Sequence, residues 1–220
     1  MDIQKFIESH KDDINFQSFK KVYDAALKSL SVNNLSKLTE LFYKCGIDPL
    51  QYMTEVPSFY AYGSTLKDVK IPNNVTSIGN YAFSYCKGLT NITIPDSINS
   101  IGISAFSGCS DLISVIIPGS VTSISELTFG GCYKLMRATV ESGVTFVGEK
   151  AFSGCFGLTS VIIPSSVVSI GPDAFYNCRS LTTIDYAGNK EQWDLIKKRS
   201  SWKNNSLIQV IHCIDGDINL

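Results

Sequence analysis

A period of 23 residues constrains this chain more than any other feature. Sliding the sequence against itself by that interval aligns Ile71–Thr93, Ile94–Ile116, Ile117–Thr139, Val140–Ile162 and Ile163–Asp185 without a gap. Phe83, Phe106, Phe129, Phe152 and Phe175 fall in one column, and Cys86, Cys109, Cys132, Cys155 and Cys178 in a second. Leu89, Leu112, Leu135, Leu158 and Leu181 form a third. A half-unit from Tyr60 to Lys70 precedes them, with Leu66, Val69 and Ile71 in the same phase. A fixed period of this size defines a solenoid, in which each unit is a coil whose apolar face only its neighbours bury.

Leu89-x-x-Ile92-x-Ile94 fits the L-x-x-L-x-L strand of a leucine-rich repeat. The rest of the unit, (I/V)-P-x-x-V-x-x-I-G-x-x-A-F-x-x-C-x-x-L, resembles the BspA-like subfamily from Tyr60 to about Asp185. The tail from Tyr186 through Trp193 to Gly216 is similar to the closing segment common in that family. The resemblance implies a curved solenoid used for binding, often at the surfaces of host-associated bacteria. The expected fold is an α/β solenoid: a right-handed coil with a parallel sheet on one face, a helical N-terminal cap and a helix-plus-strand C-terminal cap. Six strands, counting the half-unit, would span about 29 Å at the usual inter-strand spacing.

Within a unit, proline at 72, 95, 118 and 164 ends the strand, because it lacks a donor for the ladder. Val75, Ile78 and Gly79 of the first unit predict a second short strand, and Ala-Phe-x-x-Cys a helical turn on the far side. Residues 1–57 have no repeat and read as helices. Ile3, Phe6 and Ile7 mark a first, and Phe19, Val22, Tyr23, Ala26 and Leu30 a second. Asn33 or Asn34 is expected to cap a third, with Leu35, Leu38, Leu41 and Phe42 inward and Gly46 as its stop. Asp48-Pro49-Leu50-Gln51 reads as a capping box. This segment is either a cap on the apolar edge of the first coil, a docking domain, or both; residues 58–185 form the solenoid. In residues 186–220, Asn189 with Gln192 predicts a capped helix with Trp193 and Ile196 inward. Leu207–Cys213 reads as a closing strand, and Asp215-Gly216 as a turn.

The charge is nearly balanced, with 19 basic and 20 acidic residues. That argues against a nucleic-acid partner, which would call for a basic face. No apolar run reaches the roughly 20 residues of a bilayer span. The start, Met1-Asp2-Ile3-Gln4-Lys5, lacks a secretory signal pattern, so a cytoplasmic location is expected, with the cell surface or a virion as alternatives. The five column cysteines are expected to be buried, reduced thiols rather than disulfides or a metal column, while Cys45 and Cys213 stand outside that pattern. Asn74-Val-Thr and Asn91-Ile-Thr match glycosylation sequons that a Thr-rich repeat produces by coincidence. The chain has no nucleophile elbow, dinucleotide loop or Walker loop. Its two histidines, His10 and His212, lie in opposite end segments. His212-Cys213 with Asp215 and Asp217 reads as a strand end and turn in preference to a metal site. No cofactor and no enzyme activity are expected.

What remains is surface. Strand alternation points Ser114, Ile116, Arg137, Thr139, Ser160 and Ile162 to the open side of the sheet. The units also serve as an internal standard. The third unit departs most, with Ser125-Glu126-Leu127-Thr128 in place of the Ile-Gly-x-x-Ala phase, and the fourth opens with Val140-Glu141 where others have Ile-Pro. In the column after the cysteine, Lys87, Ser110 and Arg179 give way to Tyr133 and Phe156. Tyr133, Arg137 and Phe156, with Ser114, Ile116, Ser160 and Ile162, are therefore the expected partner-binding residues. The expected function is a non-enzymatic protein-binding module of a bacterium or phage. The alternatives are a structural component built into an assembly through the N-terminal region, and a surface adhesin.

Overall fold

Each unit holds two short stretches that alternate between exposed and buried residues, and each stretch becomes a strand pairing with its equivalent one unit on. The computed structural model describes residues 32–44 and 46–220. The first two expected helices, Asn33 and Asn34 as side chains, and Cys45 lie outside what is described. The chain enters through helix α1 (Val32–Lys44) and a 3-10 turn (Pro49–Tyr52). There follow β1 (Glu55–Val56), β2 (Asp68–Lys70), β3 (Ser77–Ile78), β4 (Asn91–Thr93), β5 (Ser100–Ile101) and β6 (Ser114–Ile117). Then come β7 (Ser123–Ile124), β8 (Arg137–Val140), β9 (Phe146–Val147), β10 (Ser160–Ile163), β11 (Ser169–Ile170) and β12 (Thr183–Tyr186). Helix α2 (Lys190–Leu195), β13 (Lys197–Lys198), β14 (Val210–Cys213) and β15 (Gly216–Asn219) close the chain.

The longer strands form one sheet of eight, in the order β15-β14-β12-β10-β8-β6-β4-β2. It is wider than the six strands expected, because β14 continues the parallel ladder beside β12 and β15 folds back on β14 antiparallel. The short strands form two further sheets, β1-β3-β5 and β13-β11-β9-β7. Pairing follows the repeat: Ser114 lies opposite Arg137, and Arg137 opposite Ser160. The first coil starts earlier than the half-unit suggests, since Glu55 and Val56 pair with Ser77 and Ile78.

The core is a set of columns. The five phenylalanines stack face to face with centroids 5.3 to 5.5 Å apart and planes within 10°. Both ends of the stack are closed by an aromatic ring set edge-on, Tyr60 against Phe83 and Trp202 against Phe175. The column cysteines are free and buried. Each thiol from Cys109 onward donates to the carbonyl of the phenylalanine one coil back, at 3.1 to 3.2 Å. Each of these carbonyls also accepts the N–H of the cysteine in its own coil, so the sulfur adds a second bond that ties one coil to the next. Apolar packing and this bond together account for cysteine at the position.

Ala-Phe-x-x-Cys does not form a helical turn. Its N–H groups alternate between a carbonyl three residues back and one in the next coil: Ala82 bonds Gly79, but Phe83 bonds Ala105 and Tyr85 bonds Ser107. The backbone visits positive φ twice per coil to do so, for example at Ser104 (54°) and Gly108 (71°). Packing is equally close at the Ile-Gly position, where a Cβ on Gly102 would stand 2.6 Å from the Asn80 backbone nitrogen.

At the N-terminal end, α1 begins at Val32, so Asn33 and Asn34 lie inside the helix instead of capping it. Leu35, Leu38 and Phe42 are buried as expected. Asp48 makes no capping box; its carboxylate accepts from the Leu50 N–H and the Tyr43 hydroxyl, which fixes a single 3-10 turn. At the other end, Asn189 and Gln192 do form a reciprocal capping box, and it sets α2 so that Trp193 is fully buried.

Candidate functional site

The eight-stranded sheet presents one face to the interior and one to solvent. Val115, Ala138 and Val161 point inward, while Ser114, Ile116, Arg137 and Ile162 point outward. Ser160 and Thr139 are half-buried between them. Large apolar side chains gather on the middle strands and on the turns leading into them. Ile113, Ile116, Met136 and Ile162 are all exposed, and Ile116 is 56% accessible. An apolar cluster of this kind, rimmed by serine, threonine and charge, is the composition of a contact surface.

Tyr133 and Phe156 stand on the turns before β8 and β10. Their rings stack at 5.2 Å with planes 9° apart, and both are exposed. The cation over Phe156 is Arg179 of the following unit, with its guanidinium carbon 5.7 Å from the ring centroid. Arg137 was expected beside these rings, but it sits within β8 on the open face, between Ser114 and Ser160. The post-cysteine column therefore continues as Tyr133, Phe156, Arg179, and sequence reading missed the third member. The signal was present, since Arg179 occupies the same column.

The sheet also has one weak step. Neighbouring long strands share two to four residue pairs at every other step, but β4 and β6 share only Asn91–Ser114. At the same step β5 and β7 form no ladder, which is why the short strands split into two sheets. On the long-strand side Pro118 has no N–H to offer the Ile94 carbonyl, but Pro95 and Pro164 leave the same gap at steps that keep three pairs. Proline is therefore common to these steps, and what is particular to this one lies on the short-strand side. Ser125 replaces the usual glycine, and its hydroxyl takes the Ile101 carbonyl at 2.6 Å. A glycine N–H makes the equivalent bond at Gly102, Gly148 and Gly171. The turn side of this step stays bonded, through Ser104 to Glu126, Phe106 to Thr128 and Gly108 to Gly130.

On the sheet side the loosened step opens a cavity of about 310 Å³. Asn91, Thr93 and Ile94 line one wall, Ser114, Ile116 and Pro118 the other, and Asp96 and Glu141 stand at its end. Ile92 and Ile94 are 8% and 7% accessible, against 0–5% for the other inward residues from Val69 to Tyr186 on the long strands. Of the residues expected from sequence, the structure brings Ser114 and Ile116 into this cavity; Asp96 and Asn91 were not anticipated there.

The column thiols are not reactive groups. Burial pushes Cys86 up to about 11 and Cys178 up to about 12, and holds Cys109, Cys132 and Cys155 well above the ordinary thiol value. His212 Nδ1–H donates to the Asp217 carboxylate at 2.8 Å across the β14–β15 hairpin, and that bond raises the pKa of the imidazole. Among the described residues, no three His, Cys, Asp or Glu side chains are grouped to hold a metal ion, and no helix is long and apolar enough to cross a membrane.

Coils of two short strands, with a leucine-strand motif on one side and stacked aromatics inside, define a leucine-rich repeat protein. The family model for the BspA type leucine rich repeat region matches residues 54–182 in six copies, and the chain belongs to that family. Among solved structures it is similar to a leucine rich cell surface protein of Faecalibacterium prausnitzii, with 39% identity and a TM-score of 0.58, over 61% of this chain and 36% of that one. A Treponema pallidum leucine rich repeat protein ("T. pallidum" TpLRR) matches at 26% identity and a TM-score of 0.56, over 60% of this chain and 62% of that one. A Eubacterium ventriosum leucine-rich repeat protein matches at 25% and 0.57, over 75% and 50%. The chain thus spans between about a third and two thirds of the length of these structures. No curated protein matches it.

Proposed function

We propose that this protein is a non-enzymatic binding module of a bacterium or phage that holds a protein partner against the open face of its long-stranded sheet. The supporting observation is the clustering of Ile113, Ile116, Tyr133, Met136, Phe156 and Ile162, all exposed, on adjacent units. Elsewhere on the sheet the outward positions are polar or charged, as at Asp68, Lys70 and Asp185. Residues 1–57 shield the first coil in this reading, residues 58–185 bind, and residues 186–220 close the last coil. The test is capture of protein from the native source by the intact chain and by variants. Ile116→Arg and Tyr133→Ala should lose the captured band, while Thr183→Ala, on the polar part of the same face, keeps it. Equal capture by all three would place binding elsewhere.

A second reading concerns where the module works. One reading puts it in the cytoplasm; the other follows the Faecalibacterium structure, which is described as a cell surface protein. A surface role would make the chain an adhesin, and fractionation of the native cells separates the two.

A further inference from the structure

The weak step between β4 and β6 is unlike a flaw spread over the fold. It falls at one step, in both the long-strand and the short-strand ladders, with the turn ladder intact behind it. Its cavity combines an apolar throat with an acidic end. Ile92, Ile94 and Ile116 line the throat; Asp96 and Glu141 supply two carboxylates. Among the described residues, neither carboxylate meets a basic side chain. Glu141 is held by its own N–H on the Ile117 carbonyl, and the Asp96 turn by the Ile98 N–H on the Pro95 carbonyl. Both carboxylates therefore project from fixed backbone.

We infer that this cavity receives a lysine or arginine side chain of the protein partner, its methylene stem between the isoleucines and its charge at Asp96 and Glu141. Long basic side chains bury an apolar stem while keeping the charged head at the surface, which is the profile of this cavity. Its volume stands at the lower end of ligand sites, enough for one side chain. The open face carries the complementary arrangement for orientation: Arg137 lies at the start of β8 and Glu141 just beyond its end. A partner segment crossing the face is then read at both ends by charge of opposite sign. The inference rests on the reading of the sheet as the binding face.

The experiment selects peptides from a random library displayed on phage against the intact chain, then measures synthetic copies by calorimetry. Enriched peptides should contain a lysine or arginine. Each should bind about tenfold more weakly to the Asp96→Asn/Glu141→Gln double variant, or when the basic residue becomes norleucine, and the loss should shrink at high salt. The double variant is isosteric, and an unchanged melting curve shows that the fold is intact. Peptides without a basic residue that ignore the double variant but need Tyr133 and Phe156 would overturn the cavity assignment and leave the face reading standing. Peptides that ignore both sets of substitutions, or no enrichment at all, would overturn both. Equal affinity for putrescine and for the peptide would overturn a protein-borne occupant in favour of a free polyamine.

Discussion

The third and fourth units each carry two aromatic residues four positions apart, and these build two stacks of nearly the same geometry. Phe129 and Phe152 lie 5.4 Å apart with planes at 10°, and Tyr133 and Phe156 lie 5.2 Å apart at 9°. The first pair is fully buried; the second is 53% and 41% exposed. Solenoid geometry alone accounts for both, because equivalent residues of successive coils fall in register. What separates them is recurrence. The inner stack runs through all five units and is closed at both ends, whereas the outer one occurs once, in a column that elsewhere holds Lys87, Ser110 and Arg179. The inner column is required by the coil. The outer pair is not, so its chemistry is free to serve something outside the chain.

The largest consequence of the inner side is alkaline lability. Cys132 lies between the two stacks in sequence but belongs to the buried columns. Burial raises the pKa of all five column thiols above the ordinary value of 9.0. A group whose folded pKa is raised leaves stability intact below the unfolded value and costs it as pH rises above that, since only the unfolded chain then sheds the proton. Each thiol contributes a slope of about 1.4 kcal/mol per pH unit above pH 9, so five approach ~7 kcal/mol per unit. Denaturant unfolding at a series of pH values should show this steep decline, and Cys132→Ala should remove one thiol's share. An unchanged slope in that variant would place Cys132 on the exposed side of the comparison.

Next in size is Phe129→Ala. It removes the central ring of a continuous stack, and a large-to-small change in a rigid core costs about 3–5 kcal/mol. Urea unfolding measures it directly. A loss below about 1 kcal/mol, within the range of an ordinary surface substitution, would mean that the inner stack is no more demanding than the outer.

Much of the inner side was legible before any coordinates. Phe, Cys and Leu recur with the period, and a solenoid must bury what recurs. Two local departures were legible only as departures. Val140-Glu141 and Ser125 were visible as breaks in the pattern, yet their effect depends on hydrogen bonds between coils, which no linear reading pairs up. At the weak step Ser125 answers the Ile101 carbonyl with a hydroxyl where other coils use a glycine N–H. Arg179 was passed over for a different reason. Arg137 is nearer to Tyr133 in sequence, but a strand turns it onto the open face, while the column brings Arg179 to Phe156. The two positive-φ positions per coil were likewise hidden, because residues as different as Ser104, Leu127 and Lys150 occupy the first of them. A short apolar run with alanine reads as a helix until its N–H groups are seen to alternate between coils.

The outer stack should separate binding from folding. Tyr133→Ala and Phe156→Ala should each weaken partner capture by about 2 kcal/mol, the scale of an interface anchor, with stability changed by no more than about 0.5 kcal/mol. Competition binding and a melting curve on the same preparations provide the two readouts. A Tyr133→Ala variant as unstable as Phe129→Ala would erase the distinction between the stacks.

The smallest effect tests how far the outer column extends. Arg179 covers the free face of Phe156 at 5.7 Å, and its Nε donates to the Asn177 side chain at 2.7 Å, so the guanidinium is held in place before any partner arrives. A cation over an exposed ring contributes about 0.5–1 kcal/mol. Arg179→Lys keeps the charge but loses the planar group that lies over the ring, and Arg179→Ala loses both. If the cation serves only to order Phe156, both variants should weaken binding by that small amount and leave a Phe156→Ala background unaffected, because the ring through which Arg179 acts is gone. If Arg179 meets the partner directly, its loss should add to that of Phe156→Ala. A double-mutant cycle on partner affinity distinguishes coupling from addition. Coupling would make Tyr133, Phe156 and Arg179 one preorganised surface element, built on the same register that stacks the phenylalanines inside.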